Sequence, residues 1–219
     1  MNFSPTTFMD GLIAGVDQTL RQLHRVSEQG APPARRTQRV DLSSSPEPLE
    51  DQQRQLSGRL MRVNHSGEVA AQALYHGQAL GTRDPALAQA LREAADEEAE
   101  HLDWCEQRLG ELLARPSVLN PLWYAGSFAL GYTAALAGDR WSLGFIGETE
   151  HQVVQHLDEH LKRLPAADQR SRHILETMQA DEARHGESAM AAGGQELPGI
   201  IKRLMRHAAR VMTRTAFWL

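Results

Sequence analysis

The chain has 219 residues, 41% hydrophobic and 23% charged, with a net charge of −5 and a single cysteine, Cys105. That length suits one domain with a full core, and the acidic balance argues against a nucleic-acid partner. One cysteine excludes an internal disulfide, so Cys105 reads as core packing in a reducing compartment.

Aromatics make up only 5% of the chain, and Ala, Leu, Glu, Gln and Arg dominate, which points to helix. No basic stretch followed by a long apolar run opens the chain, so no signal peptide is expected. Residues 7–26 form an amphipathic pattern with Phe8, Leu12, Val16, Leu20 and Leu23 near one face. Residues 27–50 read as a mobile linker, rich in Pro and Ser and without sustained periodicity. From Asp51 onward the pattern is almost wholly helical. One helix runs over 51–80 and stops near Gly81. Asp84 and Pro85 open the next as N-cap and first residue, and it continues to about Ala114. Asn120-Pro121 begins an apolar stretch that ends at Ala137. Further helices are expected over 139–164, 168–192 and 198–217, and no strand-like alternation is present.

Glu-x-x-His places two metal-ligand side chains one turn apart on a helix face. It occurs three times: Glu98/His101, Glu148/His151 and Glu182/His185. Glu98 shares a stripe with Leu91, Ala94, Ala95, Leu102, Cys105 and Leu109. Glu182 shares one with Leu175, Met178, Gly186 and Ala189. Both acids therefore point toward a core. Glu148 shares its face with Gly144, Gln152, Gln155 and Glu159, which reads as a solvated surface. Its neighbour Glu150 falls instead with Leu143, Ile146, Val153, Val154, Leu157 and Leu161. Glu150 is thus the expected buried acid of that helix.

The spacing then repeats. Glu68 precedes Glu98 by 30 residues, and Glu150 precedes Glu182 by 32. Each half is a helical hairpin with Glu on its first arm and Glu-x-x-His on its second. Two such hairpins bring Glu68, Glu98, His101, Glu150, Glu182 and His185 to the centre of a four-helix bundle, the di-metal carboxylate arrangement of ferritin-like proteins. Buried carboxylates cannot stay ionised without compensation, and two divalent cations supply it. An acid precedes each Glu-x-x-His pair, and Glu97 and Asp181 are expected to accept from the outer nitrogens of the histidines. His65, His76, His156 and His160 read as ordinary buried or exposed histidines. Mixed Glu/His ligation suits iron or manganese.

These residues carry a resemblance. The strings Leu60-Met-Arg-Val-Asn-His-Ser-Gly-Glu68, Glu97-Glu-Ala-Glu-His-Leu102, Gly147-Glu-Thr-Glu150, His156-Leu-Asp-Glu-His160 and Asp181-Glu-Ala-Arg-His185 resemble the demethoxyubiquinone hydroxylase family, most closely its bacterial members. So does Pro116-Ser-Val-Leu-Asn-Pro121. The resemblance implies a ferritin-like di-iron monooxygenase of ubiquinone biosynthesis, with two iron ions on the same six residues. It implies O2 as co-substrate, a polyprenyl methoxy-methyl-benzoquinol as substrate, other enzymes of ubiquinone biosynthesis as partners, and an electron donor that the residues do not name. It also places His156 beside the site. The implied architecture is one ferritin-like domain over residues 1–219, with the di-iron bundle at 51–192. An N-terminal helix precedes the bundle; an extra apolar helix and a C-terminal basic amphipathic helix complete it.

Such a substrate requires a lipid surface, and two segments suit peripheral contact with the cytoplasmic face of the cell membrane. Residues 119–137 lack charge and read as an interfacial or re-entrant helix, with a core helix as the alternative. Residues 200–219 carry Lys202, Arg203, Arg206, Arg210 and Arg214 and no acid. Ile201, Leu204, Met205, Ala208, Val211 and Met212 lie opposite, as in a helix lying on anionic lipid. Rival readings are a ferritin-type iron oxidase or store, and a membrane-docked metal protein without turnover. A ribonucleotide reductase subunit needs a radical tyrosine; Tyr75 is the one placed on a ligand helix, and it reads as packing.

Overall fold

The computed structural model describes residues 48–219. The helix expected over residues 7–26 and most of the linker lie outside them. Six helices form among the described residues: α1 Asp51–Gly81, α2 Pro85–Glu111, α3 Asn120–Leu136, α4 Asp139–Arg163, α5 Gln169–Ala191 and α6 Gly199–Trp218. No strand occurs among the described residues, so the all-α reading holds.

The boundaries have local causes. Glu50 and Gln53 close a reciprocal capping box at the start of α1. Asp84 accepts from the backbone N–H groups of Ala86 and Leu87, and Pro85 occupies a position whose N–H is not needed. Asp168 caps α5 by accepting from the Ser171 N–H at 2.9 Å. Between α3 and α4 the chain reverses at Gly138, whose φ of 114° suits glycine.

α1 and α2 form one antiparallel hairpin, α4 and α5 the other. Their buried side chains gather in two clusters. Met61, Cys105, Leu109, Leu157, Leu175 and Met178 belong to the first, and Tyr75, Leu91, Leu143, Ile146 and Ala189 to the second. On each of the four helices the expected ligand acid falls between a residue of one cluster and a residue of the other. The middle of the bundle is therefore the one layer where apolar packing gives way to carboxylates.

A buried ionic clamp fixes the height of the two hairpins. Arg108, at the end of α2, is 1% exposed. It donates to Asp168 at 2.7 Å, Ser171 at 2.9 Å and Glu111 at 2.8 Å, and Arg170 donates to Glu111 at 2.7 Å. A guanidinium without partners at such depth is costly, so the turn between α4 and α5 is tied to the end of α2.

The apolar stretch forms α3 and lies along α1 at backbone contact. A Cβ on Gly131 would stand 2.1 Å from the Leu74 carbonyl oxygen, and one on Gly77 would stand 2.2 Å from that of Phe128. Tyr124 and Phe128 are buried on this side, while Leu122, Leu130 and Leu136 are more than half exposed on the other. The segment is thus both a packing helix and an apolar surface. No helix among the described residues is long and apolar enough to cross a membrane.

α6 corrects one expectation. Glu148 does not face solvent: it is 8% exposed, because α6 covers it. Lys202 lies 3.3 Å and Arg206 3.8 Å from its oxygens, and Gln152 donates to it at 2.7 Å. Helical periodicity shows which face is polar, but not which later helix will cover it. Part of the supposed lipid-facing charge of α6 is therefore spent inside the molecule. Leu204, Ala208 and Val211, on the side read as facing lipid, are exposed.

The close approach of α1 and α3 is testable. Gly131→Val should destabilise the fold by about 3 kcal/mol, because backbone cannot move aside. Gly126→Ala, where no atom lies within 4 Å, should leave stability level or slightly raised. Urea unfolding followed by helical circular dichroism measures both, and equal midpoints would contradict the packing argument.

Candidate metal centre

Glu68, Glu98, His101 and Glu182 each bring one ligand atom within 4.8 Å of the others, and all are buried. Three different helices supply them. His101 Nδ1 stands 3.6 Å from Glu68 Oε2, 3.5 Å from Glu98 Oε2 and 3.0 Å from Glu182 Oε1. His185 Nδ1 stands 3.3 Å from Glu98 Oε1 and 3.2 Å from Glu182 Oε2. Glu98 and Glu182 therefore each turn one oxygen toward each imidazole. Glu68 lies on the His101 side.

Glu150 is 1% exposed and comes from the fourth helix. Its Oε1 accepts from the Tyr75 hydroxyl at 2.8 Å. Tyr75, read from the sequence as an ordinary packing tyrosine, is thus a hydrogen-bond donor inside the pocket. Periodicity could place it in the core but could not show where its hydroxyl points.

The outer nitrogens of the two histidines meet acids across the bundle. His101 Nε2 lies 3.1 Å from Asp181 Oδ2, and His185 Nε2 lies 2.8 Å from Glu97 Oε2. Each hairpin thus orients the histidine of the other. With the outer nitrogen donating, Nδ1 is left as the lone-pair atom facing the carboxylates. Arg184 also donates to Asp181.

Glu148 and His151 stand apart: His151 is exposed and pairs with Gln155, and Glu148 belongs to the α6 contact. His65 and His160 are buried against Asn120 and Asn64, at 3.1 and 2.8 Å. His76 meets the Tyr124 hydroxyl at 3.3 Å. His156 lies against the His160 ring, with 3.9 Å between centroids, and its Nε2 is buried without a hydrogen-bond partner. A cleft of about 490 Å3 lined by Asp84, Leu87, Asp139, Arg140, Leu143, Ala192 and Gly193 shares no residue with the carboxylate cluster.

The donor set fits divalent cations. Glu68 Oε2, both Glu98 oxygens, Glu150 Oε2, Glu182 Oε1 and His101 Nδ1 are buried and make no hydrogen bond. Buried polar atoms are rarely left so, and an ion they share would satisfy them together. Protonation shows the same imbalance. Burial pushes the Glu68 carboxyl well up against the pull of His101, with Glu98 and Glu182 adding their charge. Burial, then the charges of Glu182 and Glu98, raise Glu150 as well. Burial opposes charge on Glu98, but His101 and His185 outweigh it and hold that carboxyl well below the usual range. Burial likewise opposes charge on His185, but Glu182 and Glu98 push it up to about 12. Without cations, the pocket must gather protons.

That requirement fixes a sign. Glu68, Glu150 and His185 all have raised values. Each stabilises the metal-free fold below its unfolded value, and that stability is lost as pH rises toward the folded one. A divalent cation competes with those protons, so its stabilising effect should grow with pH. The rise in Tm on adding Mn(II) to chelator-stripped protein should be larger at pH 8 than at pH 6. An equal or smaller rise at pH 8 would contradict the charge argument.

Comparison with known proteins agrees with this geometry. Residues 55–216 match the family model described as ubiquinone biosynthesis protein COQ7. The 3-demethoxyubiquinol 3-hydroxylase of Nitrosococcus oceani is 53% identical over 213 residues, covering 96% of each chain. Those of Nitrosospira multiformis and Bordetella pertussis are 52% and 51% identical, covering 96% of this chain and 99% and 93% of theirs. The matched region takes in α2 to α5 whole, and with them both Glu-x-x-His helices and the Glu150 helix. A chain whose buried carboxylates and histidines converge from two helical hairpins, and which matches this family's model over residues 55–216, belongs to the ubiquinone biosynthesis protein COQ7 family.

Proposed function

We propose that this protein is an O2-dependent di-iron monooxygenase that hydroxylates the ring of a polyprenyl demethoxyubiquinol. The observation that carries the reading is the convergence of unpartnered Glu oxygens and the His101 Nδ1 atom in one buried pocket, with His185 Nδ1 turned toward the same carboxylates. The names of the relatives supply the substrate class.

Glu68 and His101 would hold one iron, Glu150 and His185 the other, with Glu98 and Glu182 shared between them. When bound, the pair would supply the reduction of O2, with one oxygen going to the ring carbon, the other leaving as water, and two electrons coming from a separate donor. The protein's own part is orientation and exclusion. Asp181 and Glu97 fix the imidazoles. Leu102, Trp104, Cys105, Ile146, Leu157 and Met178 keep the surroundings apolar. His156 has a place in proton handling. The pairs Tyr75–Glu150 and Asn64–His160 set an antiparallel register between α1 and α4, which brings His156 to the height of Glu68. Burial, aided by Arg163, lowers its pKa to about 4. It is therefore an uncharged ring at neutral pH, and its buried Nε2 has no hydrogen-bond partner in the protein.

The substrate tail requires access from lipid, at the cytoplasmic face of the membrane. Leu122, Leu130 and Leu136 on α3 and Ile200, Leu204, Val211 and Trp218 on α6 are exposed apolar side chains. On α6 they run beside Arg203, Arg210 and Arg214 at helical spacing, which suits an anionic bilayer surface. The backbone N–H of Val118 donates to the carbonyl of Leu219 at 3.3 Å, joining the approach to α3 to the end of α6.

Turnover tests the first part. Purified protein should contain two irons per chain and hydroxylate a demethoxyquinol with O2 and a reductant. Glu150→Ala should abolish this, whereas Glu148→Ala should retain most of it and keep its iron. Equal losses would remove the separation between the pocket and the α6 contact.

Vesicle binding tests the second part. Each basic residue near an anionic surface contributes about 1 kcal/mol. Arg203→Gln, Arg210→Gln and Arg214→Gln together should lower partition onto phosphatidylserine vesicles by roughly a hundredfold while leaving iron content unchanged. Unaltered partition would take α6 out of the membrane contact.

A further inference from the structure

Tyr75 lies two turns beyond Glu68 on α1 and is 2% exposed. Its hydroxyl donates to Glu150 Oε1 at 2.8 Å, while Glu150 Oε2 is buried and has no hydrogen-bond partner. The two oxygens of this carboxylate are therefore unlike: one is taken, the other is free. Neither oxygen of Glu98 is held by a hydrogen bond. The arrangement is also one-sided. Tyr75 stands seven residues after Glu68, and seven residues after Glu150, at the equivalent place in the other hairpin, stands Leu157, which has no donor.

We propose that Tyr75 is a positioning residue that confines Glu150 to ligation through Oε2 alone. The inference rests on the di-metal reading above and goes beyond it. It assigns the two metal positions different ligand freedom. A cation on Glu150 Oε1 would compete with the Tyr75 hydroxyl for that oxygen and draw it away from the phenol, and Tyr75 and Glu150 are 2% and 1% exposed, so solvent offers the phenol no replacement. A buried hydroxyl without a partner disfavours that state by roughly ten- to a hundredfold. The metal position nearest Glu150 consequently keeps one coordination place that a chelating carboxylate would fill.

Cobalt(II) reports ligand number directly, because its visible absorption weakens as coordination rises toward six. The full chain, stripped and reloaded with Co(II) without O2, should bind two ions per chain both as wild type and as Tyr75→Phe. The absorption per cobalt should fall by about a third to a half in Tyr75→Phe, as one ion of the two gains an oxygen. In Glu150→Gln, whose amide offers one oxygen, adding Tyr75→Phe should change the spectrum no further. Tyr75→Gln, which keeps a donor, and Tyr75→Leu, which does not, repeat the comparison without the aromatic ring; the first should resemble wild type and the second Tyr75→Phe. Helical circular dichroism establishes that each variant is folded. If wild type binds two cobalt ions and all donor-less variants share its spectrum, the role of Tyr75 is overturned while the metal reading stands. If wild type binds no cobalt, the metal reading fails and this inference fails with it.

Discussion

Negative charge held where water cannot reach it is the constraint on which this molecule depends. Glu68, Glu98, Glu150 and Glu182 are each 3% exposed or less. Their charges can be offset by protons or by cations. Protons reach the pocket but leave oxygens and a ring nitrogen without partners. Cations satisfy the same atoms at once. A fold built only for stability would replace this layer with leucine, since apolar residues of similar volume do at least as well as buried ionic groups. The sequence instead interrupts its two apolar clusters with acids at the same height on four helices.

Holding that layer together requires coupling between the hairpins, and the structure supplies it twice. Asp181 on α5 orients His101 on α2, and Glu97 on α2 orients His185 on α5. Away from the pocket, Arg108 ties α2 to the α4–α5 turn through Asp168 and Ser171. If the hairpins slid by one turn, about 5.4 Å, both sets of partners would be lost together. The ligand geometry is therefore as well fixed as the ionic clamp beneath it.

Much of this was legible in the sequence, for a definite reason. Glu98 and Glu182 lie on stripes of Leu, Ala and Met, and Glu150 lies on a stripe with Leu143 and Ile146, so helical period alone sends all three acids inward. The Asp84-Pro85 cap marked its helix start as expected. What period does not contain is the identity of a covering neighbour. Glu148 was misplaced at the surface because Lys202 and Arg206, more than fifty residues later, come back over it. Tyr75 was underrated because the aim of a hydroxyl depends on a partner 75 residues away. For the same reason, α3 resisted a single reading. Its glycines bring it to backbone contact with α1 on one side and leave Leu122, Leu130 and Leu136 open on the other.

That two-sided helix bears on which ferritin-like chemistry the pocket serves. An iron store needs a soluble exterior that can assemble or remain dispersed, with access for ions. Here a helix of 17 residues with no charged side chain shows an apolar face, and α6 presents an arginine edge next to Leu204 and Val211. Exposed apolar area of this kind is costly in water unless something apolar covers it. A lipid surface would do so, and it is also where a polyprenyl quinol resides. The feature least suited to iron storage is thus one that a hydroxylase working on a lipid-borne quinol would use, and with such a lipid contact the buried acids and the exposed leucines would serve the same reaction.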